Sequence, residues 1–414
     1  MRSEIIAVGS EMLTPWRQDT NSLALTEKLN DLGVIVAFKT IVGDRRTDLA
    51  DAIRIALGRV DIVLLTGGLG PTEDDLTREA VADALGLELR RDHAQVTALY
   101  TRAASMRISM PENNLKQADV IDTAVVLPNP NGSAPGQWLD TAFNGYRKLV
   151  MLLPGPPGEC IPLFDIAYLP RLKELLPPRH IAKRTLRAAM ILESQADKIL
   201  APIYMTYPDV ETTILASGGE IQLTLIAAKP AQDAAQKRVD ELAGRLEVAL
   251  QDWLFASDGE SLEEIVLLNL ALRQMTLAVA ESCTGGKISE RLTSISGSSR
   301  SFVGGAIAYS NNLKTDFAGV PAEVIARYGA VSVEVAAAMA EGIRKRTGAS
   351  IGLSVTGIAG PTGGTDAKPV GLVYFSVADA QKTETFERNF RGPRERVRTW
   401  AAQQALDLVR RRLM

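Results

Sequence analysis

The sequence predicts an α/β protein in three domains, and three observations carry that reading. The chain has 414 residues, beyond the roughly 250 to 300 at which a single hydrophobic core stops growing. Apolar, strand-like runs alternate with amphipathic stretches over the first 170 residues and again after residue 257. Gly and Pro punctuate the junctions, a pattern that favours mainly parallel sheets covered by helices on both faces. The breaks fall at Leu169-Pro170 with Leu176-Pro177-Pro178, and at Ser257-Asp258-Gly259-Glu260. They divide the chain into 1–170, 171–256 and 257–414.

In the first domain, strands are expected at Glu4–Val8, Val34–Thr40 and Asp61–Leu65, with helices at Thr20–Leu32 and Thr47–Arg59 between them. Ligands of such sheets bind at the carboxyl ends of the strands. The middle stretch, 182–255, reads as a small α+β unit with strands at Arg184–Ile191 and Ile221–Ala228 and a long helix at Ala231–Leu250. It carries no cluster of reactive side chains and is read as a spacer or dimer-contact domain. The last domain opens with Ser261 three residues before Glu264, the spacing of a capping box, ahead of a helix at Leu262–Arg273.

Composition narrows the function. Apolar residues make up 46% and charged residues 23% of the chain, and no apolar run approaches the roughly 18 residues of a membrane span. Met1-Arg2-Ser3-Glu4 runs straight into Ile5-Ile6-Ala7-Val8, without the basic and apolar regions of a leader. Cys160 and Cys283 stand far apart, without the spacing of a zinc site or disulfide framework. A cytoplasmic protein is expected. The net charge of −3 is spread along the chain, and no basic stripe with interleaved aromatics offers itself to nucleic acid.

The first informative stretch is Thr66-Gly67-Gly68-Leu69-Gly70-Pro71-Thr72-Glu73-Asp74-Asp75, a buried strand breaking into glycines before a helix. Such a turn lets backbone N–H groups approach a phosphate. Glu73, Asp74 and Asp75 would repel a bare phosphate, so a divalent cation bridging them to a diphosphate is expected. Helix capping by Asp74 or Asp75 is the plainer alternative. A second such loop, Thr356-Gly357-Ile358-Ala359-Gly360-Pro361-Thr362, follows the strand Ile351–Val355. Its flank, through Asp366 and Lys368, suits direct backbone and lysine contact with a phosphate monoester. No metal is required there.

Between these loops, Thr276 to Lys287 reads as a buried strand, a polar turn and a helix running to about Ser294, with Ser282 at the helix amino terminus. Unpaired N–H groups near Gly285 and Gly286 would stabilise an oxyanion there. Ser282 or Thr284 would equally serve as an ordinary N-cap, and the stretch does not choose between these readings. The histidines are His93 and His180, neither in this domain, so a Ser-His-Asp arrangement would need one lent by another domain. A strand ending at Tyr309 would instead put Tyr309 and Lys314 at the same rim, and a partly desolvated lysine can act as base. Cys283, the rival nucleophile, has no histidine to ionise it. The segment Phe390–Arg398 begins a final amphipathic helix whose arginines are mostly expected on a solvated face, with Arg394 taken for the substrate site.

These stretches resemble the CinA (competence/damage-inducible) family along essentially the whole chain. In the first domain the likeness rests on Thr66–Asp75, on Pro128-Asn129-Pro130-Asn131-Gly132-Ser133-Ala134-Pro135-Gly136, and on Leu153-Pro154-Gly155-Pro156-Pro157-Gly158-Glu159. In the last it rests on Ala280-Glu281-Ser282-Cys283-Thr284-Gly285-Gly286, Ala308-Tyr309-Ser310-Asn311, Lys314, and Val355 to Pro361. One departure is Thr14-Pro15-Trp16-Arg17-Gln18, where the family has a glycine-containing turn.

The resemblance implies a molybdopterin-binding-like three-layer α/β/α domain, a KH-like connector and an α/β/α deamidase domain. It implies hydrolysis of nicotinamide mononucleotide to nicotinate mononucleotide and ammonia. Ser282 would attack, Tyr309 and Lys314 would handle its proton, and Thr284, Gly285, Gly286, Thr356, Gly357, Gly360 and Arg394 would bind substrate. For the first domain it implies cleavage of ADP-ribose with a divalent metal, magnesium or cobalt, held by Glu73, Asp74 and Asp75. Gly67, Gly68, Gly70, Thr72, Gly132 and Ser133 would take the phosphates. A homodimer is expected on the same ground. The competing readings are a pterin or molybdenum-cofactor module and a non-enzymatic scaffold for competence.

Overall fold

A computed structural model describes residues 1–177 and 180–414. Pro178, part of the first expected boundary, lies outside the described residues. The chain forms two compact units, Met1–Ile181 with Ala228–Gln232, and Ala182–Ala227 with Asp233–Met414. Among the described residues no helix is long and apolar enough to cross a membrane.

In the first unit the chain runs β1 (Arg2–Val8), α1 (Asn21–Asp31), β2 (Ile35–Val42), α2 (Arg46–Arg59), β3 (Ile62–Thr66) and α3 (Thr77–Leu85). Each element read from the sequence falls within two residues of its expected limits. Next, β4 (Leu89–Arg91) pairs with β5 (Asp119–Ile121) around α4 (His93–Ser105), followed by β6 (Val125–Leu127), β7 (Gly136–Phe143), β8 (Tyr146–Leu153), α5 (Pro157–Leu163) and α6 (Leu169–Leu175). The main sheet has the order β2-β1-β3-β8-β7-β6, with β2, β1, β3 and β8 parallel and β7 running against both neighbours. Alternate strand residues feed two cores: Ile6, Val63 and Leu65 pack with α2 and α3, while Ile5, Ile62 and Leu64 pack with α1 and α5. All of β3 is buried, as expected of a parallel strand covered on both faces.

The second unit contains two sheets. The smaller is built from β9 (His180–Ala189), α7 (Glu193–Tyr204), β10 (Val210–Ser217), β11 (Glu220–Lys229), α8 (Gln232–Leu250) and β12 (Leu254–Ala256), in strand order β10-β11-β9-β12. Sequence reading found β9, β11 and α8 but not α7 or β10. Pro202 sits inside α7, and β10 is an edge strand whose only buried residue is Val210, so neither shows a clean period. In β11, Ile221, Leu223, Leu225 and Ala227 point inward in strict alternation.

The larger sheet follows α9 (Leu262–Leu272), whose capping box forms as expected: Ser261 N–H donates to Glu264 Oε2 at 2.7 Å, and Glu264 N–H to Ser261 Oγ at 3.3 Å. The chain continues through β13 (Leu277–Glu281), α10 (Lys287–Thr293), β14 (Phe302–Ile307), α11 (Asn311–Asp316), α12 (Ala322–Tyr328), α13 (Val333–Thr347), β15 (Ile351–Gly357), β16 (Leu372–Ala378), β17 (Thr383–Asn389) and α14 (Arg394–Arg412). The order is β14-β13-β15-β16-β17, with the first three parallel. The candidate site lies where β13, β14 and β15 end.

The last helix corrects one expectation. From Ala401 to Arg410 every residue of α14 is buried, so it is not amphipathic along that stretch. Its apolar residues share a core with α9, β15 and β16 and with Ala189, Phe255 and Ala256 of the smaller-sheet segments. The arginines of its first turns, Arg394 and Arg396, are exposed as expected, whereas further along Arg410 is buried and paired: its Nη2 lies 2.7 Å from Asp407 Oδ1 and 2.6 Å from the carbonyl of Asp252. Isolated buried charges are costly, and this pairing with backbone acceptors offsets that cost.

Candidate functional site

In the second unit, β13 delivers Ser282 and β14 leads through Tyr309 into α11, which carries Lys314. Lys314 Nζ lies 2.9 Å from Ser282 Oγ and 2.8 Å from the carbonyl of Ala308. Lys314 is 2% exposed and Ser282 7%. Burial pushes the Lys314 ammonium below its ordinary range, because a low-dielectric surrounding penalises the charged form. Among the described residues no carboxylate hydrogen-bonds to it, and the opposing pull of neighbouring Cys283 is the smaller effect. A lysine that loses its proton early, in contact with a serine hydroxyl, can deprotonate that hydroxyl. Cys283 is unsuited as nucleophile, since burial pushes its thiol up to about 12.

A cavity of about 220 Å³ opens over this pair, lined by Cys283, Tyr309, Asn311, Val331, Thr356, Gly357 and Arg394 among others. Arg394 donates from Nη1 to the Gly360 carbonyl at 2.9 Å and from Nη2 to Tyr309 Oη at 2.9 Å. Tyr309, 58% exposed, therefore stands at the rim. Its hydroxyl is held by Arg394, and only its main-chain carbonyl meets Lys314, at 3.4 Å. A proton relay through the Tyr309 hydroxyl is not what this geometry provides; Lys314 reaches Ser282 directly. Thr356 is fully buried and donates to the Ala330 carbonyl at 2.8 Å.

Four assigned residues do not line the cavity: Thr284, Gly285, Gly286 and Gly360, the last meeting it only through the carbonyl that accepts from Arg394. Thr284 is fully buried and does not line the cavity. The Gly286 N–H donates to Glu281 Oε2 at 3.0 Å, and the Gly285 N–H to the Ser282 carbonyl at 3.1 Å. The amino terminus of α10 is thus not open to an oxyanion. The fully buried Glu281 carboxylate also accepts from the Ile288 and Ser289 N–H groups at 3.1 and 2.8 Å, and from Ser289 Oγ at 2.7 Å. It satisfies the orphan donors of the first helical turn and complements the helix dipole. Lys368, expected at a phosphate, is spent on the carbonyls of Tyr328 and Val331 at 2.9 and 2.6 Å.

The first unit has its own cavity, about 560 Å³, at the carboxyl ends of β1, β3 and β8. Gly67, Gly68, Gly70, Thr72 and Ser133 line it, as do Asp74 and Asp75. Gly132 and Glu73 do not: the Gly132 N–H donates to Asn129 Oδ1 at 3.0 Å. Gly68 turns at φ +65, and a Cβ there would lie 2.2 Å from Thr77 Oγ1, so the loop needs glycine for close approach to α3. Arg17 and Gln18, from the segment that departs from the family, form part of the wall. Sequence reading missed Asn21 and Gln117, two nearly buried amides in the lining whose Oδ1 and Oε1 atoms find no partner.

Asp74 and Asp75 line the cavity in which the expected metal would meet a diphosphate. Among the described residues no three His, Cys, Asp or Glu side chains gather into a group able to hold one. Asp75 Oδ2 already accepts from the Thr72 N–H at 2.9 Å and from Thr72 Oγ1 at 2.5 Å. Asp75 therefore closes a turn on Thr72 and does not cap α3, whose N-cap is Leu76 without a side-chain cap.

A buried serine–lysine pair at the ends of parallel strands, in a chain whose other unit carries a glycine-loop cavity, defines a two-site α/β protein. Residues 259–413 match the family described as "CinA C-terminal domain", and residues 4–174 the one described as "Probable molybdopterin binding domain". The chain is 63% identical over 414 residues to a CinA-like protein of Acidobacterium capsulatum, covering 100% of both. It is 54% identical over 414 residues to a CinA-like protein of Koribacter versatilis, again covering 100% of both. A crystal structure of the competence/damage inducible protein CihA from Agrobacterium tumefaciens is similar at 36% identity, covering 36% of this chain and 90% of that one, with a TM-score of 0.35. The chain belongs to the CinA family.

Proposed function

We propose that the second unit is an amidohydrolase that converts nicotinamide mononucleotide to nicotinate mononucleotide and ammonia. The observation that carries this reading is the 2.9 Å approach of buried Lys314 to Ser282 Oγ, with burial holding the amine below its usual range. In the proposed reaction the Ser282 proton passes to Lys314 as Oγ adds to the carboxamide carbon. The protonated lysine then returns that proton to the departing nitrogen, releasing ammonia and leaving an ester on Ser282. Water, deprotonated by the same lysine, hydrolyses the ester and restores both groups. Arg394 and the Thr356 loop hold the nucleotide, with the guanidinium suited to a phosphate. The purified chain is expected to release ammonia from nicotinamide mononucleotide at the same rate with and without a metal chelator. Loss of release on chelation would overturn the metal-free reading.

The first unit is read as a site for a nucleotide diphosphate such as ADP-ribose, supported by a cavity at parallel strand ends large enough for one. No catalytic step is assigned to it. ADP-ribose at about 100 times its dissociation constant is expected to stabilise the unit by about 2.7 kcal/mol, read as a rise in melting temperature. A rise with molybdopterin and none with ADP-ribose would favour the pterin reading.

A further inference from the structure

A separate cavity of about 350 Å³ lies away from the Ser282 pocket, between the β10–β11 turn, the segment after β9 and α14. Trp400 and Arg396 form one wall, Leu192 and Ile221 supply apolar surface, and Glu193 and Glu220 bring carboxylates. The Arg396 guanidinium lies over the Trp400 ring, 5.3 Å from its centroid, and makes no ion pair among the described residues. Leu192 is 57% exposed at the edge.

The backbone around this cavity is held in an unusual form. Met190 has φ +61, and its N–H donates to the Gly219 carbonyl at 2.8 Å. A long side chain in the left-handed region is strained and persists where the surroundings impose it, often at ligand sites. Gly218 and Gly219, at φ +60 and +87, close the turn against the helix: a Cβ on Gly219 would already touch Trp400 Cε3 at 3.4 Å.

The same helix reaches the serine site. Arg394 holds Tyr309 Oη and the Gly360 carbonyl, and Arg398 Nη2 donates to the Thr284 carbonyl at 2.8 Å. Glu395 lies 2.7 Å from Lys287 Nζ, so the first turn of α14 grips both ends of the loop after Ser282. Arg396 and Trp400 are interleaved with these residues on one rigid element.

We propose that this cavity is an effector site for a pyridinium nucleotide monophosphate, and that its occupancy acts through α14 on the Ser282 loop. A flat cationic ring suits the indole of Trp400 once the Arg396 guanidinium, which lies over it, turns to the ligand's phosphate, with Glu193 at the rim; Glu220 is already paired with Arg187 at 3.0 Å. The inference rests on the amidohydrolase reading, since it makes the substrate its own activator.

The test is calorimetric titration of nicotinamide mononucleotide into the Ser282→Ala protein and into the same protein carrying Trp400→Ala or Arg396→Gln. Arg396 is exposed, which guards against a variant that merely unfolds. Each second substitution is expected to remove one bound molecule per chain. In enzymes that keep Ser282, either substitution is expected to raise half-saturation about fivefold and to turn a sigmoidal rate curve hyperbolic. Equal stoichiometry in all three proteins would overturn the effector site while leaving the amidohydrolase reading intact. No binding to the Ser282→Ala protein at all would overturn both.

Discussion

Replacing Lys314 with Met is expected to lower kcat for ammonia release by about 10²- to 10⁴-fold, the scale of losing a positioned general base. Met nearly conserves side-chain volume in this buried position, so the chain is expected to fold. The same substitution changes the pH profile. In the native protein kcat/KM depends on neutral Lys314, so the rate rises with pH as the amine loses its proton. Because desolvation lowers the Lys314 value, that rise is expected below the ordinary lysine range near about 10.4. Lys314→Met is expected to lack this rising limb, whereas persistence of the same limb in the variant would assign the base elsewhere.

Replacing Ser282 with Ala is expected to abolish ammonia release, by roughly 10⁶-fold in kcat if Ser282 is the nucleophile of a serine hydrolase. The hydroxyl is the atom that Lys314 meets at 2.9 Å, and Cys283 beside it is held as a thiol by burial. Binding of ADP-ribose by the first unit is expected to be unchanged, since its cavity is lined by residues of that unit alone. Loss of both properties in the variant, with the fold intact, would contradict the assignment of two independent sites.

Local signals made the strands and glycine loops legible. The two Thr-Gly loops end apolar runs, the first leading into α3 and the second into β16. Lys314 could be placed near Ser282 because both follow neighbouring strand ends, 32 residues apart. Contacts set only by the folded chain were not legible. Arg394 meets Tyr309 across 85 residues, which turned the Tyr309 hydroxyl away from the lysine. Glu281 gave no sign that it would occupy the amino terminus of α10, because an acidic residue ending a strand points either way until the helix packs above it. The burial of Arg410 was not legible, since nothing local shows that the Asp252 and Leu254 carbonyls await it. In the first unit, three consecutive acids suggested a metal, but one of them, Asp75, turns back on Thr72. The spacing of that contact, i to i+3, is also the spacing of a simple turn.

The central claim is that Ser282 forms a covalent bond to the substrate. It is tested most directly by quenching the enzyme in acid during turnover of nicotinamide mononucleotide, then mapping its peptides by mass spectrometry. The account predicts an acyl adduct on the peptide containing Ser282, absent from the Ser282→Ala protein. Ammonia release by a Ser282→Ala protein, with no adduct on the native enzyme, would contradict it.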